Sequence, residues 1–589
     1  MGLFAFTPQV SVDAFTRSVY GTLLSALILC VCFWARFERK PGGILTKAFW
    51  LDRARQRRLG IALLAAVVGT LFIVRTQDYA FKTIWDEHVI ANTAQNLYTK
   101  RVAFNSGRVY NYSNARFVLS PFYDKRPAAF PFFVALTHDL FGYDPHRTIQ
   151  LNACLAFGAM FLFFLLLQRL WGLKGAAFGL ACLVTVPVFA SEASSGGIGM
   201  SSIFLVLALI ALLARWLERP DKDGLAAAAF LAVLLAQTRY ESFLYLAGMG
   251  LVVAYVWWQQ KRIMLPWVVL LCPVLLIPHV WQNHVVKLNP KLLELGTVGK
   301  EQVLSFGYIP EMSARALHFF FDPEVPQSNH IFLAGIAAIA AVGWLVLARR
   351  KASDWSTLSP TAKVAVLFIP AFLLQLLLIL CYAFPLDMQI TSRLSLPLFL
   401  PMAALAAWLL IEVRHRWVQG VILGGFVLFF MQFQITKFNR VNFYTSGMVA
   451  SVFEQLEDEL DRFDPDNTVF ISTDVPFFDI FGYNAAGAGS FQSRLPQVKW
   501  ILEQKEHPRF LVWDIESYNG MTGEWEKSFD TTKLTDNVKT EVVWTVYEDP
   551  YYRGVLSEVI AIEDVEAAGP AAPFEHPGQF KGFYYSSLP

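Results

Sequence analysis

The sequence predicts a polytopic α-helical membrane protein carrying a C-terminal soluble α/β domain. Three observations point there. Of 589 residues, 55% are hydrophobic and only 16% are charged, with a mean hydropathy of +0.42; soluble domains average about 25% charged residues. About twelve apolar runs are long enough to cross a bilayer as helices, and every connection on one side of them is basic. After about residue 440 charge returns, and the apolar runs become short and β-rich. This composition excludes a soluble multidomain chain and a disordered one. The formal net charge, 49 − 47 = +2, calls for no nucleic-acid partner.

The first run covers 19–36. Arg17 is the only basic residue ahead of it and no small-residue cleavage site follows, so it reads as an anchor rather than a signal peptide. Arg36, Arg39, Lys40, Lys47, Arg53, Arg55, Arg57 and Arg58 then mark a cytoplasmic segment. Run 60–75 leads out to a first outer loop, 76–145. Runs at 146–168, 175–190, 202–216, 224–238, 243–259 and 264–282 follow, then a second outer loop, 284–330. Runs at 331–348, 362–384, 394–412 and 418–435 complete the set, with arginine or lysine in each cytoplasmic connection. The expected organisation is an N-terminal helix and basic segment (1–59), a transmembrane module (60–439) and an outer soluble domain (440–589). In that domain strands are expected at 468–473, 509–515, 541–547 and 555–563, with 482–490 as a loop and 567–589 as an irregular tail. Cys30, Cys32, Cys154, Cys182, Cys272 and Cys381 all lie in apolar runs, where they read as small hydrophobes. No repeat of fixed period is visible.

The first outer loop holds the densest chemistry. After Trp85-Asp86-Glu87-His88, apolar Val89, Ile90, Ala94, Leu97 and Tyr98 fall at helical spacing. They predict a short amphipathic helix on the membrane surface, with Asp86 at its N-terminal end. A first-turn acid that only serves the helix dipole is the plain alternative. Further on come Tyr123-Asp124-Lys125-Arg126-Pro127 and an apolar stretch, 128–142, too short to span and read as a second interfacial helix. Arg147 opens the next span. Ordinary snorkelling anchors are the alternative reading of these bases. Thr238-Arg239-Tyr240-Glu241 sets a charged pair between two short apolar runs, which is costly near hydrocarbon and points to function or to a structural ion pair.

These residues together resemble the polyprenyl-phosphate-sugar-dependent glycosyltransferases of the GT-C fold, in the branch of the protein O-mannosyltransferases and lipid A aminoarabinose transferases. The resemblance lies in Asp86-Glu87, Lys125-Arg126-Pro127, Phe141-Gly142, Arg147, the Arg239 turn and Ser392-Arg393-Leu394-Ser395-Leu396-Pro397, and covers about 60–440. Two departures stand out: the first span is extra, and Arg126 occupies the middle of a Lys-Pro-Pro-like element.

The resemblance implies transfer of a sugar from a polyprenyl-phosphate donor to a hydroxyl of a lipid, glycan or protein acceptor at the outer membrane face. Asp86 takes the family's catalytic acid position and would serve as general base, with Glu87 beside it. Lys125, Arg126, Arg147, Arg239 and Arg393 would hold the donor phosphate and stabilise the departing charge. His88, Tyr240 and Glu241 are expected against substrate. A single base without a carboxylate nucleophile implies inversion at the sugar. A divalent metal ion could be held by Asp124, His279 and His284, although their spacing matches no metal motif. Mixed charge and aromatics suit 284–330 to a lid over the donor, or equally to packing against the soluble domain. The setting implied is the bacterial inner membrane, with the site and soluble domain facing the periplasm. A transporter or flippase would instead place ionisable residues in broken helices near the midplane. A non-catalytic assembly protein of the same fold is the other alternative.

Overall fold

The computed structural model describes residues 8–83, 85–112, 115–122, 124–288, 300, 302–322, 330–350, 355–435, 447–504, 507–520, 522–527, 534–549 and 552–568. Among them, eight helices are long and apolar enough to cross a membrane: Ala14–Glu38, Arg53–Thr76, Arg147–Val184, Gly199–Glu218, Tyr240–Gln260, Pro360–Cys381, Arg393–Glu412 and Arg416–Phe433. The expected twelve runs are all helical, and the difference has a local cause in each case. Arg147–Val184 contains two of the runs. Its 38 residues would reach about 57 Å as one straight helix, against a hydrocarbon core of about 30 Å. The chain breaks it at Gly172, whose φ of 71° is left-handed. Lys222–Ala236 has only 15 residues, started by Asp221 accepting from the Gly224 amide at 2.7 Å. The expected 264–282 run is interrupted by Pro266, Pro273 and Pro278 into short turns and the helix Ile277–Leu288. Ile331–Arg350 is helical, its clearly apolar part being Ile331–Leu345.

The first helix, Pro8–Glu38, is no peripheral addition. Phe15, Val19, Leu23, Ala26 and Cys30 are buried in the main core, and Phe33 stacks on Phe230 with ring centroids 6.1 Å apart. At the basic face its end is tied down by ions. Glu38 accepts from Arg215 Nε and Arg219 Nη2, each at 2.9 Å, and Lys40 donates to Asp221 at 2.8 Å and Asp223 at 2.6 Å.

Two short helices of the first outer loop were expected on the membrane surface, and here the structure differs. In Asp86–Lys100, every residue from Ile90 to Leu97 is buried, along with Glu87 and His88. In Ala129–Phe141 nearly the whole first half is buried too. In Asp86–Lys100 the polar positions Asn92 and Gln95 meet Asp479 of the C-terminal domain, and in Ala129–Phe141 His138 packs against Tyr98 and Tyr143 while Asp139 pairs with Arg101.

That domain is built on a sheet that the outer loop helps to make. In chain order the strands are β1 Asn105–Ser106, β2 Arg108–Tyr112, β3 Ala115–Val118, β4 Pro121–Phe122, β5 Thr468–Ile471, β6 Asn484–Ala486, β7 Arg509–Asn519, β8 Glu524–Lys527, β9 Val538–Asp549 and β10 Tyr552–Ile562. β1 and β4 form a small ribbon; the others form one sheet in the order β3-β2-β6-β5-β7-β10-β9, with β8 also on β7. β5 runs parallel to β6 and β7, and the rest pair antiparallel. The four expected strands are present. The expected loop at 482–490 is instead β6, a buried strand, followed by the short helix Ala488–Gln492. Alternation in β7 serves both faces: Leu511 and Trp513 pack with Phe453 and Leu556, while Phe510 and Val512 pack with Phe491 and Val498. Gly554 is needed here, because a Cβ would lie 2.1 Å from the Trp513 ring. The register Val109↔Ala485 welds the first outer loop to the C-terminal domain, so both lie on one side of the helical bundle. The 439/440 boundary and residues 569–589 lie outside the described residues.

Candidate active site

Asp86 begins its helix under an unusual constraint. The preceding residue, Trp85, has φ 60°, a left-handed conformation that costs a non-glycine residue of order 1–3 kcal/mol and gathers at functional sites. Trp85 is held there against Phe453 of the C-terminal domain, rings 6.5 Å apart. One Asp86 oxygen accepts from Arg126 Nη2 and the other from Arg393 Nη2. Arg126 donates its other terminal nitrogen to Asp124 at 2.8 Å. Arg393 opens the helical turn Arg393–Leu398, so a residue more than 300 positions away in sequence completes the clamp. Burial alone would raise the Asp86 carboxyl, but Arg126 and Arg393 override it and hold the group well below the usual carboxylate range. Burial wins at Asp124, which is raised despite Arg126.

The neighbouring elements close around this clamp. Tyr240 donates its hydroxyl to the Lys125 carbonyl, and Gln282 donates to the Arg126 carbonyl, fixing the backbone that carries the bases. Arg239 and Glu241 form a buried ion pair. Tyr382, just past the end of Pro360–Cys381, lies within electrostatic reach of Glu241, Arg393, Arg239 and Asp86; burial, then Glu241, pushes its phenol up. Glu192 also acts on Arg393, so Lys125, Arg126, Arg239 and Arg393 stand against Asp86, Asp124, Glu192 and Glu241, or 4 − 4 = 0.

Other expected site residues are placed elsewhere. Glu87 is fully buried, and its carboxylate accepts from the amides of Lys82 at 3.0 Å, Thr83 at 3.1 Å and Gly196 at 2.8 Å. It organises two loops, and its side chain is closed off from solvent. His88 is equally buried, with Nδ1 2.6 Å from Asp474 Oδ2 and its ring against Phe81, Phe453 and Phe477. It pins the Asp86 helix to the C-terminal domain. Arg147 donates to the Phe141 carbonyl at 3.2 Å and to Gln150 at 2.5 Å, locking the Phe141-Gly142 turn instead of joining Arg126 and Arg393. The expected metal trio does not converge. Asp124 is engaged by Arg126, His279 packs against Tyr240 and lies 3.2 Å from Asn283, and His284 is exposed. No group of three or more metal-ligating side chains occurs among the described residues. Of the expected lid, 289–299, 301 and 323–329 lie outside the described residues. Within the rest, Ser305 donates its amide to the Cys381 carbonyl at 2.8 Å and Ala383 to the Val303 carbonyl at 2.9 Å, which brackets Tyr382.

Several residues near the site carried no signal of their own in the sequence. Lys82 is buried, donates to Ser194 at 2.7 Å and Gln77 at 3.0 Å, and burial lowers its amine to about 8 despite nearby Glu87. Glu192 accepts from the Gly199 amide at 3.1 Å, and a Cβ on Gly199 would come within 2.3 Å of that carboxylate. Asp479 accepts from Asn92 at 2.7 Å and pairs with Arg116, anchoring the Asp86 helix a second time. Asp474 did have a readable signal: the run Thr473-Asp474-Val475-Pro476 is a helix start, and its side chain accepts from the Phe477 amide at 3.3 Å.

No protein-family model matches the chain, and no curated protein sequence matches it. Among solved structures the chain is similar to ArnT from Cupriavidus metallidurans in the apo state, with 12% identity, a TM-score of 0.48, and coverage of 84% of this chain and 98% of that one. It is also similar to the same protein bound to undecaprenyl phosphate, with 11% identity, a TM-score of 0.48, and coverage of 87% and 98%. A third likeness is to the Archaeoglobus fulgidus oligosaccharyltransferase in the apo form, with 11% identity, a TM-score of 0.43, and coverage of 83% and 76%.

Proposed function

We propose that this chain is an integral membrane glycosyltransferase, moving a sugar from a polyprenyl-phosphate donor to a hydroxyl of a cell-envelope lipid, glycan or protein. The observation that carries the reading is Asp86 clamped between Arg126 and Arg393 on the face opposite the basic connections. A carboxylate held this far below its usual range is a poor base, because proton transfer is most efficient when the base's pKa lies near the working pH. A donor phosphate is a competing anion for the same two guanidiniums. Once it takes them, Asp86 loses the groups that depress it and recovers basicity. Donor binding therefore arms the base.

The acceptor oxygen then attacks the anomeric carbon as Asp86 takes its proton. The bond from that carbon to the phosphate oxygen breaks, and the electron pair leaves on the polyprenyl phosphate, facing Arg126 and Arg393. Asp124 is committed to Arg126 and Glu87 to three backbone amides, so neither offers a free nucleophile beside Asp86. That supports a single displacement with inversion.

The test is turnover of polyprenyl-phosphate sugars by purified protein, after mass spectrometry has identified the lipid-linked sugar that co-purifies with it. Failure of every such donor, with none co-purifying, would overturn the reading. The active face is proposed to be periplasmic in a bacterial inner membrane. A cysteine placed at exposed Gly520 should then react with a membrane-impermeant maleimide once the outer barrier is opened. Labelling only after the inner membrane is lysed would reverse the orientation.

A further inference from the structure

A large cavity lies away from Asp86. It measures about 1800 Å³ and runs between the helices Pro8–Glu38, Arg53–Thr76, Arg147–Val184 and Gly199–Glu218. Its walls are apolar, with Trp34, Leu63, Leu162 and Leu205 among them, and it extends towards Phe133 and Leu151. Its mouth is on the basic face and is lined by Arg55, Arg58, Arg169 and Arg215 with Glu38 and Glu218, or 4 − 2 = +2. Glu38 is already saturated by Arg215, Arg219 and the Ile44 amide. Arg55 pairs with Asp52 at 3.0 Å and Arg169 with Glu218 at 3.3 Å. Arg58 forms no ion pair among the described residues, and Arg169 lies within electrostatic reach of Arg215, Arg58 and Arg55 as well as of Glu218. Trp50, half exposed, stands at the same level, as aromatic residues do at a membrane interface.

We infer that this cavity is a binding site for an anionic glycerophospholipid of the leaflet on the basic face, with its acyl chains between the helices and its phosphate at Arg58 and Arg169. Apolar walls below a mouth with unbalanced arginines are the footprint of such a lipid, since basic pockets between transmembrane helices recognise anionic headgroups. The phosphate relieves the crowding of four guanidiniums, and the chains fill the space between the helices Pro8–Glu38, Arg53–Thr76, Arg147–Val184 and Gly199–Glu218. A polyprenyl phosphate is a different occupant. The clamp proposed for its headgroup is on the opposite face, and neither Asp86, Arg126 nor Arg393 lines this cavity.

The test is native mass spectrometry of the full chain released from mixed phosphatidylglycerol and phosphatidylcholine vesicles, together with thermal melting in each lipid. Phosphatidylglycerol should be retained preferentially and should raise the melting temperature. Arg58→Gln, a change at an exposed residue, should reduce that retention about fivefold, and Arg58→Gln with Arg169→Gln by about twenty-fivefold, at roughly 1 kcal/mol per arginine. Arg57→Gln, one residue away and outside the cavity lining, should leave retention unchanged. Equal retention of the two lipids, an equal effect of Arg57→Gln and Arg58→Gln, or displacement of phosphatidylglycerol by added polyprenyl phosphate would overturn the inference. None of these outcomes depends on the transfer reaction.

Discussion

Replacing Asp86 by Asn should slow turnover and, at the same time, tighten the binding of polyprenyl phosphate. In the free protein each Asp86 oxygen holds a guanidinium, and under the proposed function a donor phosphate would have to win both. A charge-assisted contact is worth about 1.5–3 kcal/mol, and about 1.4 kcal/mol is tenfold in affinity. The side chains of Asp86, Arg126 and Arg393 are 20%, 15% and 14% exposed, which favours the lower end of that range. Asparagine also keeps an amide oxygen able to accept one neutral hydrogen bond. Removing the competing charge should therefore lower Kd about tenfold. Loss of the base should cost about 10²–10⁴ in kcat. Titration with polyprenyl phosphate and single-turnover transfer measure the two effects separately. Weaker lipid binding in Asp86→Asn would refute the competition, and kcat within about threefold of the parent would refute the base. A snorkelling or purely structural clamp predicts neither change.

Arg239→Lys keeps the charge but loses the planar donor, so kcat/KM should fall about tenfold, and about a hundredfold in Arg239→Ala; normal kinetics in both would make Arg239 only the structural partner of Glu241. Asp479→Asn breaks a buried pair with Arg116 and should cost about 3–5 kcal/mol. That loss should appear as faster proteolysis of the first outer loop, and unchanged protection would rule out the anchor. Lys82, lowered to about 8, binds fewer protons folded than unfolded between about 8 and 10.4, so stability should rise with pH across that window. Melting curves from pH 7 to 10.5 should show the slope in the parent protein and its absence in Lys82→Met; a slope that persists would assign it to another group.

The bundle was legible because spans need only local information, namely a run of apolar residues and the charge at its ends. The clamp was legible in part for the same reason: Asp86 and Arg393 stand at the start of an element and Arg126 just ahead of one, where a charged side chain can reach the interface. What stayed hidden was direction and distance. A helix of 15 residues with polar positions on one side looks the same whether those positions meet water or Asp479. His88 and Glu87 therefore read as site residues beside Asp86, although the helix turns them towards Asp474 and the amides of Lys82, Thr83 and Gly196. The β2–β3 hairpin gave no sign of its partner, because β6 lies in a segment rich in glycine and alanine that resembles a turn. Lys82 looked like any lysine beside a span.

The seam between the first outer loop and the C-terminal domain also sets an order of events during synthesis. Arg116 and Asp479 are 363 residues apart in sequence. At about 5–20 residues per second the ribosome takes roughly 20–70 s to cover that distance. Over that interval the hairpin edge has no strand to pair with, and Asn92, Gln95 and Arg116 wait for the residue that satisfies them. The Asp86 helix is thus the last part of the outer loop to settle, although it leaves the ribosome among the first. A chain released before Asp479 would insert most of its helices and still lack the groups that hold Trp85 and Asp86 in place. The clamped arrangement around Asp86 becomes a property only of a polypeptide long enough to include Asp474 and Asp479.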